Sequence, residues 1–137
     1  MEYKLARQVL NLANQIIKNR NKHLKELNIT AEQADSLTFF SSNPNRSISD
    51  LKEYLHIRHQ TARGIVKRLE EKQFLNLIVS EEDGRYKTIC LTEKGMHIVE
   101  CLKQNGTYTG YQLLKGMSKE EQEQFYTLIS YALNNIK

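Results

Sequence analysis

Proline is nearly absent from this chain, with one residue in 137, and there are only six glycines and two cysteines. So few helix breakers, together with a hydrophobic fraction of 39%, exclude a disordered chain and point to a folded, helix-rich one. Cys90 and Cys101 form no CxxC motif, and both are expected to stay reduced. No apolar run approaches the roughly 18 residues that a membrane span needs. The stretch from Leu5 to Ile17 is broken by Arg7, Gln8, Asn11 and Asn14, so it is not a signal-peptide core, and a cytoplasmic location is expected. A phosphate-binding glycine loop, HExxH and GxSxG are all missing. The four histidines and the carboxylates are scattered rather than clustered. The expectation is a protein that is not an enzyme and has no metal or cofactor.

What is present is moderate positive charge, unevenly placed. The net charge of +4 and a pI near 9.0 permit an anionic partner without requiring one. Residues 1–28 hold six basic and two acidic residues, whereas residues 95–137 hold four of each. The excess therefore lies towards the front half. At this length the chain is one domain, or a core with dimerisation elements added.

Apolar residues at Leu5, Val9, Leu12 and Ile16 lie on one face of a helix that runs on towards Leu24 and Leu27. So much apolar surface on a leading helix needs a partner in the same chain or in another copy. Asn28–Ile29 interrupts, and Thr30-Ala-Glu-Gln33 then reads as a capping box opening a second helix with Ala34, Leu37 and one or both of Phe39 and Phe40 inward. That helix ends in the polar run around Pro44. Ser47-Ile-Ser-Asp50 is another capping box, with Asp50 in place of the usual Glu or Gln. It opens a short helix carrying Leu51, Tyr54 and Leu55 on one face.

The tight connection His56-Ile57-Arg58 leads into the stretch 57–75. There Ile57, Thr61, Ile65, Leu69 and Phe74, with Ala62 and Val66 beside them, make one buried stripe at helical spacing. His59, Gln60, Arg63, Lys67 and Arg68 fall largely off that stripe, either as a solvated face or against something negative. Two helices joined this tightly form a helix-turn-helix. The period then becomes strand-like. Leu77–Val79 reads as a strand, Ser80–Gly84 as a turn and Tyr86–Leu91 as the returning strand. The whole is a winged helix. Thr92-Glu-Lys-Gly95 closes the hairpin, and a long helix is expected to start near Met96. Gly106 and Gly110 each cost roughly 1 kcal/mol in a helix interior, so a kink or break is expected there. Ser118-Lys-Glu-Glu121 is a further capping box, and the stripe Phe125, Leu128, Ile129, Ala132, Leu133 and Ile136 follows it. Apolar helices at both ends predict intertwined dimerisation.

The run Asp83-Gly-Arg85-Tyr-Lys-Thr-Ile-Cys-Leu91-Thr92-Glu-Lys-Gly95 resembles the wing of MarR-type transcription regulators, with D-x-R, five residues, then L-T-x-x-G. Arg68–Lys72 is similar to the end of that family's recognition helix, Ser47–Leu55 to the helix before it, and the TAEQ opening at Thr30 to the family's second helix. The resemblance spans essentially the whole chain. It implies a mostly α (α+β) fold: a winged helix-turn-helix domain with a two-stranded wing at 30–95, an N-terminal dimerisation helix at 1–28 and C-terminal dimerisation helices at 96–137. It also implies a homodimer on pseudo-palindromic double-stranded DNA, acting as a repressor relieved by a small molecule, oxidant or metal. The competing reading is a winged-helix module that docks a partner protein through its basic face.

The side chains agree with the resemblance. Arg85 at the wing tip suits a narrow, electronegative minor groove, and Asp83 is placed to hold its guanidinium in a bidentate pair. Gln60, Thr61 and Arg63 stand near the start of the recognition helix, Gln60 suited to adenine and Arg63 to guanine. His59, Lys67, Ser47 and Ser49 are placed for phosphates, and Lys87 on the wing joins the DNA-facing set. A missing side chain at Gly64 allows close approach to DNA or to a neighbouring helix. The chain departs from the family at three places. Gln73 replaces the usual Gly at the end of the recognition helix, Leu77 stands where the first wing strand usually carries Arg, and Arg58 takes the position of a small polar cap.

His97 and Cys101 are four apart on one helix, but no third and fourth metal ligand converges with them in the sequence. A surface His and a buried Cys is the favoured reading. Cys90, on a strand, is expected to be packed. Phe39, Tyr54, Tyr108 and Tyr111 are candidates for an effector pocket, with ordinary core packing the more frequent role of such residues.

Overall fold

A computed structural model describes residues 1–82, 84 and 87–136. The elements follow in the order α1 (Glu2–Glu26), α2 (Ala31–Ser42), α3 (Ile48–Leu55), α4 (His59–Glu71), β1 (Leu75–Val79), β2 (Lys87–Leu91), α5 (Glu93–Leu114) and α6 (Lys119–Asn135). The chain divides into two compact units, Met1–Asn105 and Gly106–Lys137. No helix of the described residues is long and apolar enough to cross a membrane.

The core lies in the first unit and joins every element there. Leu24, Ile29, Ala34, Leu37, Phe40, Leu51, Ala62, Ile65, Val66, Leu69, Phe74, Leu75, Ile89, Ile98 and Val99 are all buried. Within α4 the buried residues are Ala62, Ile65, Val66 and Leu69. Thr61, placed on the stripe by its spacing, is instead exposed. Ile57 and Phe74 belong to the flanking connections, and α4 itself is shorter than the stretch 57–75.

Local hydrogen bonding explains where the helices begin. Thr30, Ser47 and Ser118 each accept a backbone N–H from the residue three along, and Gln33, Asp50 and Glu121 reach back to the cap amide. Helix ends share a second device. After α1, α3 and α4 the chain turns through a left-handed residue, Asn28, His56 and Gln73 respectively, with φ near 57°, 55° and 65°. The next N–H then bonds back five residues: Ile29 to Leu24, Ile57 to Lys52 and Phe74 to Leu69. This closure satisfies carbonyls that the helix leaves orphaned, although a glycine is usual at such a turn. None of the three sites has one.

The hairpin is antiparallel, with Leu75 opposite Leu91, Leu77 opposite Ile89 and Val79 opposite Lys87. The Ile89 N–H also donates to the Arg46 carbonyl at 2.9 Å, tying β2 to the chain entering α3. Thr92 and Gly95 hold the far end. The Thr92 hydroxyl donates to the Gln73 carbonyl at 2.6 Å and accepts the Gly95 N–H at 3.0 Å.

Three further expectations need correction. The helix after the wing starts at Glu93, not near Met96, because Thr92 supplies the side-chain oxygen that receives the Gly95 amide. It then runs unbroken through Gly106 and Gly110 to Leu114, since a propensity cost of about 1 kcal/mol per glycine does not by itself end a helix. Cys90 is exposed, because it lies on the outward face of β2 beside the buried Ile89.

Candidate nucleic-acid interface

Two adjoining helices and the hairpin enclose an open groove of about 900 Å³. Its walls carry Ser47 and Ser49 from the start of α3, His59, Arg63, Gly64 and Lys67 from α4, and Leu77 and Lys87 from the hairpin. The sequence placed Ser47, Ser49, His59, Arg63, Lys67 and Lys87 in one set, and the fold brings all six to one groove. They meet there because the left-handed turn at His56 lays α4 across α3, while the Ile89–Arg46 bond draws β2 in beside them.

The electrostatics of the groove are largely uncompensated. Ion pairs among the described residues include Met1–Glu2, Arg20–Asp35 and His23–Glu26, and none of these involves Arg63, Lys67 or Lys87. Two carboxylates also border the groove, Asp50 and Glu70. Asp50 is already committed. Its Oδ2 accepts the Ser47 N–H at 2.8 Å and the Ser47 hydroxyl at 3.1 Å. The Ser47 backbone bond is the main reason its carboxyl is held below the usual carboxylate value of 3.8, with Arg46 nearby adding to the effect. The same bonds occupy Ser47, whose hydroxyl serves as a cap, so Ser49 is the exposed hydroxyl at this helix start.

Gln60 and Thr61 are exposed on α4 but do not line the groove; they stand further round the helix towards solvent. Asp83 and Arg85, assigned to the wing tip, lie outside the described residues. Arg58 is the cap residue of α4 and makes no side-chain cap bond, so that helix begins without the usual hydroxyl or carboxylate acceptor. Arg68 is exposed and forms no ion pair with Glu70 or Glu71. Sequence reasoning did not place Glu70 and Leu77 in the groove. Their membership depends on the packing of α4 against β1, which no local pattern records.

The remaining candidates divide. Phe39 and Tyr54 are stacked, with ring centroids 4.6 Å apart and 27° between planes, and Tyr54 keeps 57% of its surface exposed. Tyr108 and Tyr111 belong to the second unit and are exposed, the Tyr108 hydroxyl accepting a bond from the Gln112 amide at 3.1 Å. Core packing is thus not the role of these three tyrosines in the single chain. His97 Nε2 lies 3.7 Å from the Cys101 sulfur. No group of three or more His, Cys, Asp or Glu among the described residues converges as a metal site.

Comparison with known proteins places this geometry. Residues 27–85 match the family described as the MarR family. The chain is 27% identical over 117 residues to an uncharacterized HTH-type transcriptional regulator, YybA of Bacillus subtilis (strain 168), covering 85% of this chain and 78% of the relative. It is 21% identical over 119 residues to the HTH-type transcriptional repressor IacR of Pseudomonas putida, covering 87% and 71%. Among solved structures, MepR, a transcription regulator of the Staphylococcus aureus multidrug efflux pump MepA, superposes with a TM-score of 0.82 at 22% identity, covering 100% of this chain and 99% of the other. The S. aureus MepR-DNA complex gives 0.77 at 23% identity, with 100% of both chains covered. These structures share the winged helix-turn-helix fold.

Proposed function

We propose that this chain is a MarR-type winged helix-turn-helix transcription regulator, not an enzyme, and that it binds a pseudo-palindromic site on double-stranded DNA as a homodimer. We further propose that it represses transcription until a small effector releases it. The observation that carries this reading is the groove in which His59, Arg63, Lys67 and Lys87 stand together, the last three without a carboxylate partner among the described residues. Unpaired cations on a helix face and an adjoining hairpin match a phosphate-lined duplex, whose affinity comes largely from released counterions.

In this reading α4 lies in the major groove. Arg63 and Gln60 address base edges, while Lys67, Ser49 and Lys87 hold the backbone. Arg85 extends the contact to the flanking minor groove. Two copies set their recognition helices about 34 Å apart, one turn of the duplex. The apolar residues exposed on α1, among them Leu5 and Val9, and separately those exposed on α6, among them Leu128 and Leu133, favour such a pairing, because exposed apolar surface of this kind marks an interface. An effector acts only by binding one spacing of the two heads better than the other. The name of IacR as a repressor and the MepR structures with DNA and with ethidium bromide support the repressor and effector parts by analogy.

The test is retention of random genomic duplex fragments by the purified protein at two salt concentrations. Retention at low salt that falls steeply as salt rises is the expected result. No retention at low salt sinks the reading, and retention indifferent to salt favours a protein-docking module. Arg63→Ala should relax preference at one base position, whereas Arg85→Ala should weaken binding broadly by about 1–3 kcal/mol.

A further inference from the structure

Two glycines of the winged unit have opposite surroundings. A β-carbon on Gly95 would collide with the backbone of Phe74, so the reason for that glycine lies inside the chain. A β-carbon on Gly64 meets nothing within 4 Å. Gly64 nevertheless sits in the interior of α4, where glycine is among the poorest helix formers. It does not terminate the helix, it has no positive φ, and no other element among the described residues comes within 4 Å of a β-carbon built there. Nothing among the described residues therefore accounts for it.

Its position on the helix supplies an account. At 3.6 residues per turn, the side of α4 opposite the buried Ala62, Ile65, Val66 and Leu69 is centred on Gln60, Gly64 and Glu71. Arg63 and Lys67 flank Gly64 on that surface, and Gly64 itself borders the cationic groove. We infer that Gly64 is a specificity-determining position. It leaves a gap in the outward ridge of α4 that lets the helix seat deeply enough in the major groove for Gln60 and Arg63 to reach base edges. A methyl group there would stand between helix and bases and lift the whole helix. The inference rests on the DNA-binding reading above and adds a contact made by an absent side chain.

The experiment first selects duplexes from a random pool on the native protein, then titrates the selected duplex with Gly64→Ala. The variant should be more heat-stable, by roughly 2–8 °C, since alanine favours the helix and meets no obstacle. It should bind the selected duplex about tenfold or more weakly, comparable to losing one base-pair contact. The slope of affinity against salt should not change, because no cation has been removed. A variant that is folded and binds the selected duplex as tightly as the native protein overturns the inference while leaving DNA binding intact. So does a variant whose affinity is kept and whose oligomeric state shifts, which would make Gly64 a contact between copies. A native protein that selects no duplex overturns both this inference and the reading beneath it.

Discussion

Gly95 rests against the backbone of Phe74 so closely that a β-carbon would overlap its carbonyl oxygen and carbon. That carbonyl is already engaged, accepting the Thr92 N–H at 3.1 Å, while the Thr92 hydroxyl donates to the carbonyl of the preceding Gln73. The L-T-x-x-G run is therefore a clasp: Thr92 binds the exit of α4, and Gly95 lets α5 close on it. Replacing Gly95 with alanine puts a methyl group onto backbone, which cannot swing aside as a side chain would. Gly95→Ala should destabilise the fold by about 1–3 kcal/mol or more, read from the urea midpoint. Native-like stability in that variant would show that the clasp can open without cost.

The turn that this clasp holds is itself strained. Gln73 has φ near 65°, a left-handed conformation in which a β-carbon crowds the following carbonyl. Gln73→Gly removes that crowding at a position whose hydrogen bonds involve only the backbone. The variant should gain about 0.5–1 kcal/mol in chemical denaturation. An unchanged or lowered midpoint would mean that the Gln73 side chain contributes something the backbone does not reveal.

The success of sequence reading varied with the range of the forces involved. Capping boxes at Thr30, Ser47 and Ser118 were legible because donor and acceptor are three residues apart. The groove set from Ser47 to Lys87 was legible because a resemblance supplied the tertiary arrangement that local patterns omit. Cys90 was misplaced because alternation on a strand does not say which face is covered, and a two-stranded hairpin covers only one. Of the kink or break expected at Gly106 and Gly110, the break does not occur, because a helix of 22 residues tolerates two weak formers. The exposure of Tyr54 was missed for another reason: its spacing matched Leu51 and Leu55, but its ring spreads outward over Phe39. The roles given to Asp83 and Arg85 fall outside the described residues.

Asp50 makes the start of α3 sensitive to acid. Its carboxyl is held below the usual 3.8, first by the Ser47 amide and also by the Ser47 hydroxyl and Arg46. A carboxylate with a lowered folded pKa adds stability above its unfolded value and loses it as pH falls through the folded one. The stability difference between the native protein and Asp50→Asn should therefore be constant above about pH 5 and shrink below 3.8. Parallel denaturation at several pH values measures it. A difference that persists undiminished to the lowest pH would assign the effect of Asp50 to shape rather than charge.

The leading helix carries the final prediction. Leu5 and Val9 share one face of α1 and keep 53% and 49% of their surface exposed in the single chain. The same helix buries Leu24 near its other end, where Arg20 pairs with Asp35 at 2.6 Å. One end of α1 is thus anchored in the core, and its apolar continuation is only about half covered by the described residues of its own chain. A second copy supplies the rest of that cover in the proposed dimer, so the native protein should sediment at twice the 16.0 kDa chain mass. Val9→Glu places a carboxylate where the pairing would strip it of water, at a cost of several kcal/mol. The variant should sediment as a single chain with unchanged helical content. It should also lose most of its affinity for a two-half-site duplex, because each head then binds without the effective concentration its twin provides. If the native protein sediments as a single chain, α1 is not a pairing surface. If Val9→Glu stays paired, its face of the helix lies outside the contact.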